Sequence, residues 1–302
     1  MKLEKFLKPT QEKLFKMLCK MYDGKCILGK GKFILVVGQA PIMLLAHLDT
    51  VHKDAVKTIC KSADGNILMS PEGIGGDDRC GVYALVKAYE LSEIKPYLLF
   101  TCDEEIGGIG ADYFCKVYES GKFPFKLDFL KCLIEVDRRG NNDAVFYDCD
   151  NAEFEKYITS KGFVTASGSF SDISLVAPAL GVAAVNLSSG YYNAHTQHEF
   201  INRAELDAVI DKVTEIISDS VSENFPRYEY VEKVFKGLGR FNFALDWEIE
   251  EDDYENFVEI SPEYDEIYFE LCYFYSKNEL DKMILKHGEK ILDDLYRKCF
   301  GD

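Results

Sequence analysis

Short apolar runs alternate along the chain with longer segments in which apolar residues recur at helical spacing. The runs predict strands near 33–37, 42–46, 97–101, 131–136 and 182–187. The longer segments predict helices near 80–92, 107–120 and 203–222. Strands that alternate with helices in this way are typical of an α/β sandwich. We therefore expect an α/β/α fold around a mixed, mostly parallel central sheet.

The pattern changes near residue 225. Positions 246–255, DWEIEEDDYE, contain seven acidic residues and no basic one. Beyond them, apolar residues again recur at helical spacing, and Ser261 and Pro262 are well placed to begin the first of two helices. We predict two parts: a domain over 1–225 and an acidic, mainly helical extension over 226–302, whose role the sequence does not reveal.

Charge and cysteine usage narrow the class of protein. The formal net charge is −17, which disfavours nucleic acid and anionic membrane surfaces as partners and favours metal cations. The most apolar segment, FILVVGQAPIMLLA, is interrupted by Gly38 and Pro41 and is too short for a membrane span. The ten cysteines are scattered, with no C-x-x-C pair and no secretion signal. We expect reduced thiols and a cytoplasmic location.

Ionisable side chains follow the apolar strand at 42–46. His47 and Asp49 are separated by one residue, so in an extended chain both leave the same face. This arrangement suits an imidazole that binds a metal ion and is oriented by a carboxylate. A polar turn after a core strand is the alternative explanation of this stretch taken alone.

The same feature recurs at other predicted strand ends and helix starts. The motifs are GGDD at 75–78, DEE at 103–105, EVD at 135–137 and GYYNAHTQHEF at 190–200. A helix cap could explain GGDD, and a solvated loop could explain DEE. In open α/β sheets, however, ligands bind beyond the carboxyl ends of the strands, where these loops would converge. The ordered set therefore indicates a site that binds metal ions.

The motifs, in this order, resemble those of the di-zinc metallopeptidase family of peptidase T, carboxypeptidase G and aminoacylase, with the peptidase T branch most similar. The resemblance covers about residues 40 to 215, including GSFSD at 168–172. It implies that His47 and Asp137 bind one zinc ion and that Glu105 and His195 bind the other. Asp78 would bridge the two ions.

Further roles follow from the same resemblance. Asp78 occupies the family position before a basic residue and glycine, here DRCG, and Asp77 is the alternative bridge. Asp49 would steady His47, and Glu104 would be the general base. The cofactors would be two Zn²⁺ ions, with Co²⁺ or Mn²⁺ also compatible with mixed histidine and carboxylate ligands.

The implied reaction is hydrolysis of a peptide bond by a metal-bridging hydroxide. An aspartate at the position of Asp137 is associated in the family with aminopeptidases, so short peptides with a free amino end are the expected substrates. Most relatives insert a lid domain, used for dimerisation, before the final histidine, and the short interval 138–194 predicts that it is missing here. The dimer formed through that lid is therefore not expected, and the oligomeric state stays open.

Two other functions remain compatible with the sequence. A deacylase that acts on N-acyl amino acids would use the same hydroxide, and substrate profiling would separate it from a peptidase. A non-catalytic metal-binding or peptide-binding protein could retain the scaffold, but the presence of Glu104, which metal binding does not require, argues against it. Serine and cysteine hydrolase motifs are not found in the sequence.

Overall fold

The computed structural model describes residues 2–52 and 54–233 and, towards the C-terminus, residues 264, 267, 268, 271, 275 and 277–300. These residues fall into two compact units, which lie within Met1–Val234 and Phe235–Asp302. Every residue of the site described below belongs to the first unit.

The first unit contains an eight-stranded sheet and a smaller four-stranded sheet. The strands of the large sheet are β1 (Cys26–Gly29), β2 (Phe33–Val36), β3 (Ile42–His47), β6 (Tyr97–Thr101), β7 (Cys132–Arg138), β8 (Asp143–Val145), β9 (Val164–Thr165) and β10 (Ala184–Ser188). The small sheet consists of β4 (Cys60–Lys61), β5 (Ile67–Met69), β11 (Tyr191–Tyr192) and β12 (Phe200–Asn202).

Helices cover the large sheet. Those of the first unit are α1 (Glu4–Leu7), α2 (Gln11–Met21), α3 (Gly76–Leu91), α4 (Ile109–Glu119), α5 (Ala152–Ser160), α6 (Ile173–Leu180) and α7 (Arg203–Ser220). In the second unit, α8 (Lys277–His287) and α9 (Ile291–Phe300) share an apolar cluster that includes Leu280, Ile284, Leu292 and Leu295. The predicted helix start at Ser261 and Pro262 lies outside the described residues.

The order of strands in the large sheet is β1-β2-β6-β3-β7-β10-β8-β9. The four central strands β6, β3, β7 and β10 are parallel to one another, whereas β1 and β2 at one side and β8 at the other pair antiparallel. The predicted mixed, mostly parallel sheet is therefore confirmed. Because the central strands run in one direction, their carboxyl ends meet at one edge, as the sequence motifs require.

Both faces of the large sheet are buried, which explains why its strands are apolar throughout. Along β3, Ile42 and Leu44 enter a core shared with α3 and α7, whereas Met43 and Leu45 enter the opposite core, shared with α4 and α6. All six residues of β3 are buried. A strand buried in this way holds the backbone at its end in a fixed position.

The small sheet lies next to α3 and has the order β11-β12-β5-β4. Strands β11 and β12 are antiparallel, and β12 also pairs with β5. The sheet therefore brings two loops together: residues 193–199, between β11 and β12, and residues 70–75, between β5 and α3. Strands of two or three residues are too short to show a periodic pattern, so the sequence did not predict this sheet.

The interval 138–194 contains β8, α5, β9, α6 and β10, which belong to the large sheet and its helical layers. Helix α6, with the sequence ISLVAPAL, was not predicted, because a short apolar run with an internal Pro178 does not distinguish a helix from a strand. Within the described residues, no helix combines the length and the apolar character needed to cross a bilayer.

The close approach of α3 to β7 provides a test of the fold. A Cβ atom at Gly81 would lie 2.0 Å from the backbone oxygen of Val136, next to Asp137. We expect Gly81→Ala to lower the free energy of unfolding by about 1–3 kcal/mol, because helix and strand must separate. Denaturant unfolding measures the loss. Lys87→Ala, on the same helix, is the control and should change stability by no more than about 0.5 kcal/mol; equal stabilities would contradict the prediction.

Candidate metal centre and active site

His47 and Asp49 form the fixed part of the site at the end of β3. The His47 ring is buried, and its Nδ1 lies 3.2 Å from Asp49 Oδ1. The Asp49 carboxylate also accepts the backbone N–H groups of Glu104 and Glu105, each at 3.0 Å. One carboxylate therefore orients the imidazole and holds the loop after the neighbouring strand β6. The two side chains share a face, as their spacing predicts.

The side chains of the three acidic residues after β6 have different surroundings. Asp103 has a left-handed backbone (φ 62°) and accepts hydrogen bonds from Gln11 Nε2 and Lys32 Nζ, both at 2.7 Å. Glu104 turns towards His47, with Oε2 3.9 Å from Nε2 of the ring. Glu105 turns towards His195, with Oε2 3.2 Å from its Nε2. Only Glu104 and Glu105 therefore enter the site.

Asp77 lies between the two histidines. Its Oδ1 is 3.2 Å from His47 Nε2, and its Oδ2 is 3.3 Å from His195 Nε2. Asp78 faces away: its Oδ2 accepts the backbone N–H of His47 at 3.1 Å, and its Oδ1 accepts that of Gly81 at 3.0 Å. Of the two residues considered for the bridging position, Asp77, the alternative, lies between the histidines, whereas Asp78, the expected bridge, contacts backbone N–H groups.

The physical reason lies in the backbone at the start of α3. Asp77 (φ −79°, ψ 108°) and Asp78 (φ −112°, ψ 37°) are not helical, so the first regular turn of the helix begins after them. The two adjacent side chains consequently point to different surroundings, one into the cluster and one onto backbone N–H groups. Because the two residues are identical and adjacent in sequence, the sequence does not indicate which of them points into the cluster.

Asp137 completes the group around His47 from strand β7. Its Oδ1 is 3.6 Å from His47 Nε2. The side-chain oxygen of Asn186, on the adjacent strand β10, accepts the Asp137 backbone N–H at 2.8 Å. The Ser171 hydroxyl lies 3.4 Å from Asp137 Oδ2, and the Tyr191 hydroxyl lies 3.4 Å from Oδ1. Asp137 is therefore held from several sides.

His195 approaches from the loop between β11 and β12. Its backbone is left-handed (φ 62°), and its side chain is 55% exposed, in contrast to the buried His47. His198, which had no expected ligand role, is exposed in the same loop. His52, which also had none, pairs with the buried carboxylate of Glu199, with Nε2 2.9 Å from Oε2.

Two groups of side chains are arranged as metal ligands within the described part of the chain. The first, here called the His47 group, is His47, Asp77 and Asp137, and the second, the His195 group, is Asp77, Glu105 and His195. Within each group, the ligand atoms all lie within 4.8 Å of one another. Asp77 belongs to both groups, so two ions bound here would share its carboxylate.

The electrostatics of the site call for cations. Burial raises the pKa of Glu104 to about 9 and that of Asp137 to about 7, with contributions from neighbouring carboxylates. Hydrogen bonds to Asp77 and Glu105 raise the pKa of His195 to about 10. Burial alone would lower the pKa of His47, but Asp137, Asp49 and Asp77 together raise it well above its usual value. The pKa values of these carboxyl groups and of both imidazoles are raised together, which indicates that the negative charge of the site is not balanced by cationic side chains nearby.

Divalent cations fit this arrangement. Five carboxylates contact the two imidazoles: Asp49, Asp77, Glu104, Glu105 and Asp137. Glu105 Oε1 is buried and has no hydrogen-bond partner, as expected of an oxygen suited to a metal ion. Imidazole nitrogens combined with carboxylate oxygens are the ligands that Zn²⁺ prefers, and Co²⁺ and Mn²⁺ accept them too.

Sequence reasoning gave no role to several residues beside the cluster. Glu135 is fully buried and accepts a hydrogen bond from Ser171, and Asp172 is equally buried and accepts one from Thr101. Burial raises the pKa of Asp172 to about 6 and that of Glu135 well above its usual value. The alternation along β7 could have identified Glu135, because it lies two residues before Asp137 and thus on the same face of the strand.

The comparisons with known proteins concern the fold. No protein-family model and no curated protein matches the sequence. The aminopeptidase PepT of Bacillus cereus superposes with a TM-score of 0.53 at 14% identity, covering 73% of this chain and 97% of that one. A tripeptidase of Staphylococcus aureus gives 0.53 at 14% identity, with 72% and 96% covered. A TET aminopeptidase from a marine sediment archaeon of the Thaumarchaeota gives 0.52 at 12% identity, with 71% and 96% covered. The chain shares the fold of these peptidases.

Metal binding should be visible as stabilisation. A ligand that binds only the folded chain stabilises it by about 2.7 kcal/mol at 100 times its Kd, which corresponds to a rise in Tm of about 5–10 °C for a unit of this size. We expect this rise when Zn²⁺ is added to protein stripped with a chelator, followed by differential scanning calorimetry. Mg²⁺, which prefers oxygen ligands, is the control. An unchanged Tm with Zn²⁺, Co²⁺ and Mn²⁺ would contradict a metal site.

Proposed function

We propose that this protein is a di-zinc aminopeptidase that hydrolyses short peptides and belongs to the peptidase T-like metallopeptidases. The observation that carries the proposal is the position of Asp77, whose two oxygens face His47 and His195. A single carboxylate shared by two ligand groups is what a pair of adjacent metal ions needs. The likeness of the fold to solved aminopeptidases supports the same conclusion.

In this proposal, His47 and Asp137 hold one ion, Glu105 and His195 hold the other, and Asp77 contributes to both. Bound zinc would supply Lewis acidity, polarising the scissile carbonyl and making hydroxide available near neutral pH. This role requires ligands held in place before substrate arrives. The buried β3 and β7 provide that rigidity for His47 and Asp137.

Glu104 is the proposed general base. Its carboxylate approaches His47 but belongs to neither ligand group, which leaves it available to accept a proton from water. Burial raises its pKa, which makes Glu104 a stronger base than an exposed glutamate. Returning that proton to the departing amine completes the cleavage of the peptide bond. Asp49 orients His47 and holds the Glu104 backbone, so it connects the ligand with the base.

The expected substrates carry a free amino end. The carboxylates around the cluster create a negative field, which attracts a cationic terminus and disfavours a second anionic group. The two solved structures with the highest TM-scores cited above are described as an aminopeptidase and a tripeptidase, and their substrate class is the natural starting point here. The cytoplasmic location, the lack of the lid-mediated dimer and the two-part division at 225 stay predictions.

The choice between Asp77 and Asp78 as the shared ligand can be tested directly. We expect Asp77→Asn to abolish the binding of two zinc ions, because both groups lose their common carboxylate. Asp78→Asn should keep both ions, with affinity reduced by no more than about 10–100-fold, because Asp78 acts through the His47 backbone. Titration calorimetry of stripped protein measures both variants. The reverse ranking would restore Asp78 as the bridge.

A peptide library tests the reaction. The zinc-loaded protein is incubated with free-amino, N-acetylated and C-amidated peptides, and products are identified by mass spectrometry. We expect release of single N-terminal residues from free-amino peptides only. Glu104→Gln should lower kcat by about 10²–10⁴-fold, the usual contribution of general acid–base catalysis, and should retain zinc. Release of acetyl groups would instead identify a deacylase, and no cleavage by zinc-loaded protein would favour a binding protein.

A further inference from the structure

Glu199 is a buried carboxylate that lies next to the cluster and outside both ligand groups. The residue is fully buried. Its Oε1 accepts the backbone N–H of Asp77 at 2.9 Å, and its Oε2 accepts that of Gly75 at 2.9 Å. Nε2 of His52 lies 2.9 Å from the same Oε2.

These three contacts join three segments that each carry residues of the site. Gly75 and Asp77 belong to the turn that begins α3. His52 follows β3 and the pair His47 and Asp49. Glu199 itself ends the loop that carries His195, immediately before β12. One side chain therefore connects the segment after β3 with the two loops that the small sheet brings together.

The local packing leaves little freedom for this arrangement. A Cβ atom at Gly76 would lie 2.7 Å from Tyr191 Cβ and 3.2 Å from Glu199 Oε1, so the turn fits closely around the carboxylate. A Cβ atom at Gly73 would lie 2.2 Å from His52 Nδ1. The glycines at these two positions thus allow the backbone to approach both Glu199 and His52.

We propose that Glu199, supported by His52, is a positioning residue that sets the zinc affinity of the His195 group. This inference rests on the proposed function. Glu199 accepts the backbone N–H of Asp77 and lies in the same loop as His195, so the positions of both ligands depend on it. The His47 group has only Asp77 in common with this arrangement, and His47 and Asp137 are held by buried strands. Loss of Glu199 therefore affects the two groups unequally.

The test compares Glu199→Gln in two backgrounds by titrating chelator-stripped full-length protein with Zn²⁺ in a calorimeter. In the otherwise unchanged chain, both groups can bind. In the His195→Ala background, the His195 group lacks a ligand, so the titration reports on the His47 group alone. We expect Glu199→Gln to weaken one of the two zinc-binding steps by about 10–100-fold in the first background and by less than about threefold in the second.

Glu215→Gln is the matched control. Glu215 is an exposed residue of α7 that pairs with Lys161, so the change removes the same charge far from the cluster's ligands and should leave both zinc affinities unchanged. His52→Ala removes the third partner of Glu199 but leaves the two backbone contacts. It should weaken the same step by a smaller factor, and it decides the question if Glu199→Gln does not fold.

Each outcome is informative. A positioning role is supported if Glu199→Gln weakens one zinc-binding step in the chain that retains His195 and does not weaken zinc binding in the His195→Ala background. Equal weakening in both backgrounds would overturn the proposal and assign Glu199 a general structural role, and unchanged affinities in both would overturn it as well. If the unchanged chain binds no zinc, the proposed function fails before any variant is considered, and this inference fails with it.

Discussion

Carboxylates buried next to one another must be neutralised by protons, hydrogen-bond donors or cations, and the site of this protein is built under that constraint. Five acidic side chains contact two imidazoles, and Glu135 and Asp172 lie buried beside them. The backbone compensates part of this charge: Asp49 accepts N–H groups from the loop after β6, and Asp78 accepts N–H groups from β3 and α3. What remains is concentrated on the residues that face His47 and His195. The parallel sheet makes the arrangement possible, because it delivers these side chains to one edge from strands that are rigid and buried.

The five segments that carry the two ligand groups differ in how regular their structure is. His47 and Asp137 lie at the ends of strands of the large sheet, Asp77 begins a helix, Glu105 lies in the loop after β6, and His195 lies in a hairpin loop of the small sheet. A hierarchy of support follows from this. Strand ends are fixed by the core, whereas the turn before α3 and the hairpin loop depend on contacts such as those of Glu199. The small sheet thus holds two irregular segments next to each other.

Much of this could be predicted from the sequence, and the failures have physical causes. The alternation of apolar runs and amphipathic segments indicated the sandwich, and ionisable residues after apolar strands indicated the edge where they meet. The orientation of Asp77 and Asp78 could not be read, because it depends on a local departure from helical geometry. Glu135 was given no role, although its position two residues before Asp137 on the same strand could have identified it. Helix α6 was missed since its apolar residues fit a strand equally well, and the small sheet because its strands are too short.

The unequal exposure of the two histidines has a consequence for how ions would enter and leave. His47 is enclosed by Asp49, Asp77 and Asp137, whereas more than half of the His195 side chain faces solvent. If two ions bind as proposed, the ion beside the more exposed His195 would exchange with solvent faster than the ion beside His47, even where their ligands are chemically alike. The ion beside His47 would be the long-lived one. The ion beside His195 would be replaced by whichever suitable metal ion is abundant in solution. The metal found at that position would therefore depend on the buffer in which the protein was last equilibrated.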